Sequence, residues 1–285
     1  MKRVNLQFIP IVFLILLVVS VMTACGNGAG GDANSADTVA FATKRVSDTT
    51  RFVKANGMKC EIIADATVNY PKHFGDKATT AKLQQLFASL IVDGGDTLRL
   101  DDAMQAMVTN SLHQLDTPDG QAAAEPIDEF DDTTPIYSYH TVATVNVHYN
   151  ANHLLTLCKV FVVKKNDRVT SVSHTYYNID LDKMAAVDLH ALLRDDALTD
   201  VTQALRTRLL EQNKVATNDE LNDLGYFNID NLAVSSNFYI DPKGVTWSYL
   251  PSELAVDAVG EPEIMLDWET LQPFLRDNTI VSRLK

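Results

Sequence analysis

The chain has 285 residues, with 24 Lys and Arg against 37 Asp and Glu and a formal net charge of −13 at pH 7. That length suffices for a core in one large or two small domains. That acidity excludes nucleic acid as a partner and excludes docking of the folded surface on anionic lipid headgroups.

Lys2 and Arg3 precede an uncharged run over residues 4–24, apolar at 8–22. A basic start, a short apolar centre and small residues before a cleavage point predict a signal peptide over 1–24. The string Met22-Thr23-Ala24-Cys25 resembles a bacterial lipobox. That resemblance implies that Cys25 carries palmitate-type acyl chains and becomes the mature N-terminus. Membrane attachment then comes from those chains, and residues 25–38 are a small, polar tether. No Asp follows Cys25, which by resemblance to lipoprotein sorting implies the outer membrane. The competing reading is an uncleaved membrane-spanning anchor, for which the run is near the lower limit of about 17–25 residues.

Residues 59–68 predict a first strand, interrupted at Asn69-Tyr70-Pro71 because Pro71 holds Tyr70 extended. Thr79 or Thr80 is placed to cap a helix whose apolar face is Leu83, Leu86, Phe87, Leu90 and Ile91, stopped by Gly94-Gly95. A second helix is expected over 101–115, with Met104, Met107, Val108, Leu112 and Leu115 as its stripe. Residues 117–134 are polar and acidic. Asp128, Glu129, Asp131 and Asp132 lack the register of a calcium loop, so a solvated loop is predicted.

Three strands then follow as an antiparallel meander over 139–149, 154–163 and 168–179. In the first, Val145, Val147 and Tyr149 are expected on one face and His140, Thr144, Asn146 and His148 on the other. Residues 154–163 are nearly all apolar and read as a central strand. Asp200 with Gln203 and Thr217 with Glu220 have capping-box spacing, and Val201, Ala204, Leu205 and Leu209 form the face of the first of these helices. Residues 236–240 and 245–250 predict a hairpin closed by Asp241-Pro242-Lys243-Gly244. Residues 253–259 have room for two helical turns, 263–266 read as a last strand, and Asp267 caps a helix carrying Trp268, Leu271 and Leu275. The fold class is α+β, with helices layered on antiparallel sheet in two related subdomains, 39–180 and 181–285, whose sheets can be continuous.

The string Asn237-Phe238-Tyr239-Ile240, then Asp241 to Gly244, an aromatic strand, Glu253, Ala255 and Gly260-Glu261, resembles the RsiV-like C-terminal domain of bacterial envelope proteins. That family includes the ectodomain of the RsiV anti-sigma factor and the non-catalytic region of PdaC-type peptidoglycan deacetylases. Ser252 and Asp257 stand where members carry tyrosines, and residues 166–169 replace a common Gly-Gly-Ala-His string. Asp188-Leu189-His190 has histidine where an aromatic residue is common. The resemblance implies a non-catalytic binding role. The RsiV ectodomain is a lysozyme receptor, and an acidic surface suits a basic partner.

No residue set in the sequence carries a reaction. His140 and His148 are ~26 Å apart along one strand face, too far to share an ion. His153 falls in a turn, and His174 shares a strand face with Thr170 and Tyr176. G-x-S-x-G and the metalloprotease motifs are absent from the sequence. Cys60 and Cys158 have no metal spacing, and whether they pair stays open. What remains is recognition by aromatic residues, among them Tyr176, Tyr177 and Phe227. The candidate ligand patch is Tyr239, Trp247, Tyr249 and Glu253. The expected protein is a lipid-anchored envelope module without cofactor or metal, binding a cell-wall glycan such as a peptidoglycan fragment, or a basic protein such as lysozyme. The alternative is an envelope hydrolase or deacetylase acting on cell-wall polysaccharide.

Overall fold

A computed structural model describes residues 38–53, 57–115, 136–277 and 279–284. The expected signal peptide, Cys25, most of the tether and the acidic loop at 117–134 lie outside the described residues. The architecture is α+β, in two sheets with a few helices.

The first sheet has six strands in sequence order: β1 (Ala40–Val53), β2 (Lys59–His73), β3 (Ile136–Ala151), β4 (Leu154–Lys165), β5 (Arg168–Asp180) and the short β6 (Ala185–Ala186). All neighbours pair antiparallel except β2 and β3, which run parallel. Parallel strands need a crossover, and α1 (Lys77–Ile91) and α2 (Leu100–Leu115) supply it. The sheet is otherwise antiparallel, as expected, with helices layered on it.

Several boundaries also differ from expectation. β2 continues through Pro71 to His73, because its pairing with β3 ends at Val68 and the missing N–H of Pro71 costs no bond on that side. Asp76, not Thr79 or Thr80, caps α1, accepting from the Thr79 N–H at 2.7 Å, while the Thr80 hydroxyl turns to the Phe74 backbone. In β3 the register shifts between Val147 and Tyr149. His148 is therefore an extra residue, and Tyr149 moves to the face opposite Val147. Two two-residue turns with positive φ, Asn152-His153 and Asn166-Asp167, close the β3–β4 and β4–β5 hairpins.

The helical layer packs Leu83, Phe87, Ile91, Met104 and Val108 onto Ile62, Ala64, Ala66, Val68, Val145, Leu155 and Leu157. In β4, residues 154–158 are buried on both faces; residues 160–163 are only half-buried because the second sheet covers just the first half.

That second sheet is β7 (Phe238–Asp241), β8 (Gly244–Ser248) and β9 (Glu263–Asp267), antiparallel with β8 central. Its inner face carries Phe238, Ile240, Val245, Trp247, Ile264 and Leu266. They pack with Val201, Leu205 and Leu209 of α4 (Leu198–Asn213) and with Leu154 of β4. Leu192 and Leu221, from α3 (Leu189–Leu192) and α5 (Asn218–Asp223), and Leu271, from α6 (Trp268–Leu271), complete this core. Thr217 and Glu220 form the expected capping box and Asp267 caps α6. Asp200 lies inside α4 and caps nothing; Ala197 holds the cap position. Residues 253–259 form turns and a bridge from Ala255 to Tyr226 instead of a helix.

Two asparagines join the sheets. Asn178 of β5 donates to Phe238 O at 2.8 Å and accepts from the Ile240 N–H at 2.9 Å. In return Asn237 donates to His174 O at 2.8 Å and accepts from the Tyr176 N–H at 2.9 Å. Each carboxamide replaces a missing ladder partner, so the edge of β5 and the start of β7 are held without a continuous sheet.

Candidate functional site

The joint between the sheets sets up the site. The edge of β5 is held to β7 by asparagine side chains at 174–178, and beyond them its outer half opens into a cleft. Val169, Val172, His174 and Tyr176 line one side, and Pro251, Ser252, Asp257, Gly260, Glu261 and Glu263 line the other. The volume is about 750 Å³.

Glu261, only 12% exposed at its side chain, clasps His174 twice. One oxygen accepts the backbone N–H at 2.9 Å and the other lies 2.5 Å from Nδ1. Glu263 takes the hydroxyls of Tyr176 at 3.1 Å and Tyr239 at 3.5 Å. The two tyrosine rings pack at 4.6 Å, and the displaced His148 ring lies 4.4 Å from Tyr239 and 5.8 Å from Tyr176. The bulge in β3 is what brings His148 there. Burial, then the nearby Cys158 and Glu263, raises the Tyr176 phenol above its ordinary value, and burial raises Tyr239 as well. Both phenols therefore stay protonated and donate to Glu263 across the physiological range. Burial pushes the Cys158 thiol up to about 11, so it is a poor nucleophile at neutral pH.

The predicted patch does not come together. Tyr239 does not line this cleft and touches it through Glu263 and Tyr176, which do. Trp247 is 0% exposed and Tyr249 2%, both in the core under α4. Their strand alternation sends them to the inner face, where large apolar area gains most from burial. Tyr249 gives its hydroxyl to Ala233 O at 2.8 Å; Glu253 is exposed and accepts the Leu250 N–H at 2.8 Å. Those two border a separate depression of about 570 Å³ near residues 228–237.

Glu261, Glu263, His148 and Asn237 were not singled out as site residues. The Asn237 and Gly260-Glu261 matches to the RsiV-like pattern were the available signal for two of them. Nothing in the spacing announces His148, because a bulge leaves no mark in strand alternation.

Two further histidines have local partners. His140 Nε2 lies 2.8 Å from Asp65 and His153 Nδ1 2.7 Å from Asp182. Among the described residues no group of three His, Cys, Asp or Glu is arranged to hold a metal ion. No disulfide joins Cys60 and Cys158, which β3 separates.

Residues 190–269 match the family described as "Protein of unknown function (DUF3298)". No curated protein matches the chain. Among solved structures, a DUF3298 family member from Bacteroides fragilis superposes with a TM-score of 0.65 at 19% identity, covering 87% of this chain and 99% of that one. A DUF3298 family protein from Pseudomonas aeruginosa gives 0.51 at 14% identity, covering 85% and 97%. These likenesses extend over most of the described chain and carry the fold.

Proposed function

We propose that this chain is a lipid-anchored protein of the cell envelope that binds a ligand without transforming it, through the cleft between β5 and residues 251–263. The ligand is a cell-wall glycan or a basic protein such as lysozyme. The observation that carries this reading is how the polar groups of the cleft are already engaged. Glu261 is tied to His174, and Glu263 to Tyr176 and Tyr239, so the carboxylates brace a tyrosine-lined wall. The lipobox-like end at Cys25, the acidic composition and the RsiV-like pattern over residues 237–261 support the envelope setting.

Isothermal titration with peptidoglycan fragments and with lysozyme, at low and moderate salt, tests it. Saturable heat with either, weakened by Tyr176→Ala, is the expected result. No heat with both, or turnover of a wall polymer by the purified chain, removes the proposal.

A further inference from the structure

We infer that the protein has a second binding site, a pocket at the margin of the helical layer that takes a small monocarboxylate with an apolar body. The pocket holds about 240 Å³, between the end of α1, the middle of α2 and strands β3, β4 and β5. It shares no lining residue with the cleft. Val172, His174 and Tyr176 turn to the cleft, whereas Ser173, Thr175 and Tyr177 turn to this pocket, so β5 separates the two.

Lys159 is the one basic side chain of the lining, and it is half-buried. Its Nζ donates to the Ile91 carbonyl at the end of α1, 3.5 Å away, and lies 5.9 Å from the centre of the Tyr177 ring. Those contacts fix the ammonium, which has three N–H donors. Among the described residues it forms no salt bridge; Asp93, the one acid of the lining, is exposed and unpaired as well. Hydroxyls surround this charge. Thr175 stands directly across from Lys159, with Ser173 opposite Phe161 and Tyr177 opposite Leu157, so all three share its face of the sheet. None of these three hydroxyls has a hydrogen-bond partner among the described residues. Beside them the lining is apolar: Ala143 and Phe161, paired across β3 and β4, and Leu90 and Met107 from the helices.

A carboxylate answers each part of this lining. It returns one negative charge to one ammonium, its two oxygens accept from the ammonium and the hydroxyls, and a charge-assisted bond is roughly twice as strong as a neutral one. An apolar body then covers Phe161, Leu90 and Met107. Other chemistries fit less well. A phosphate monoester brings about −1.5 to −2 charges against a single cation. A metal ion meets an ammonium, and a neutral ligand leaves that ammonium without a counter-charge.

Amide chemical shifts of the full chain test the site, with hexanoate and benzoate as probes, each beside its uncharged amide. The expected result is saturable perturbation at Lys159, Ser173, Thr175 and Tyr177 by at least one acid, in the millimolar range that suits about eight or nine heavy atoms. The matching amide should bind at least about tenfold more weakly. Lys159→Gln should weaken the acid about tenfold, Thr175→Val should weaken it too, and Lys243→Gln on the β7–β8 turn should leave it unchanged. Binding of neither acid at these residues would overturn the proposal, as would an amide binding as tightly as its acid. Inorganic phosphate perturbing the same residues at lower concentration than either acid would make this a phosphate site and overturn the carboxylate. If Lys159 serves only to secure the end of α1, Lys159→Gln melts at a lower temperature while Thr175→Val binds the acid as the parent does. That pair of results would also overturn the proposal.

Discussion

Two nitrogens converge on Asp65: Arg45 Nη2 at 2.9 Å and His140 Nε2 at 2.8 Å. Burial by itself raises this carboxyl, but the hydrogen bonds and charges of Arg45 and His140 outweigh it and hold the group below its ordinary value. A depressed carboxyl contributes stability that is fully present above about pH 4 and is lost as pH falls through its folded-state value. Asp65→Asn should therefore cost about 1 kcal/mol at neutral pH. The gap from the parent should close below pH 4, as read by urea melts at several pH values. Equal losses at pH 7 and pH 3 would contradict it. The cysteines give a second check at this scale. Cys60 and Cys158 are buried and Cys158 is held as a thiol. A thiol reagent should label neither in the folded chain and both in urea without reductant, whereas a disulfide would leave both unlabelled. Sequence spacing left that pairing open, since it carries no information on the strand that intervenes.

At the scale of elements, the hairpin from β7 to β8 depends on Gly244. A Cβ there would lie 2.1 Å from the Leu266 carbonyl oxygen of β9, and the obstacle is backbone that cannot swing aside. Gly244→Ala should destabilise the protein by more than about 2 kcal/mol in denaturant melts, by prising β9 from the sheet. A loss below about 0.5 kcal/mol would show that β9 tolerates a shift. This hairpin, the β3–β4–β5 meander and the two long crossover helices were legible because their apolar periodicity matches their burial. β1 was not. Its sequence carries Lys44, Arg45, Asp48 and Arg51 because it is an edge strand, where charge guards against pairing with other chains. The parallel pairing of β2 with β3 was also hidden, since alternation reports which face is buried and says nothing of a neighbour's direction. The turns at 253–259 replaced a helix because Ala255 bridges to Tyr226 and fixes the segment as a wall. The cleft was illegible for a related reason: it draws on residues from Val169 to Glu263 that only the joint between sheets brings together.

For the whole molecule, the register fixes where the cleft sits relative to the start of β1. β1 starts at Ala40 opposite His73, at the end of the sheet that also holds the Asn152-His153 turn. The cleft begins at Val169, beside the Asn166-Asp167 turn at the other end. Strands of this length span about 45 Å at roughly 3.3 Å per residue. Cys25→Ser should move the protein from the membrane to the soluble fraction while leaving ligand titrations unchanged. Retention of the variant in the membrane fraction would contradict the anchor. The most direct test of the account is to map amide chemical shifts while titrating the folded chain with the ligand that gives heat. The account predicts that perturbations gather on His174, Tyr176, Asp257, Glu261 and Glu263. Perturbations confined to residues 228–237 and Glu253 instead would place the binding surface elsewhere and contradict it.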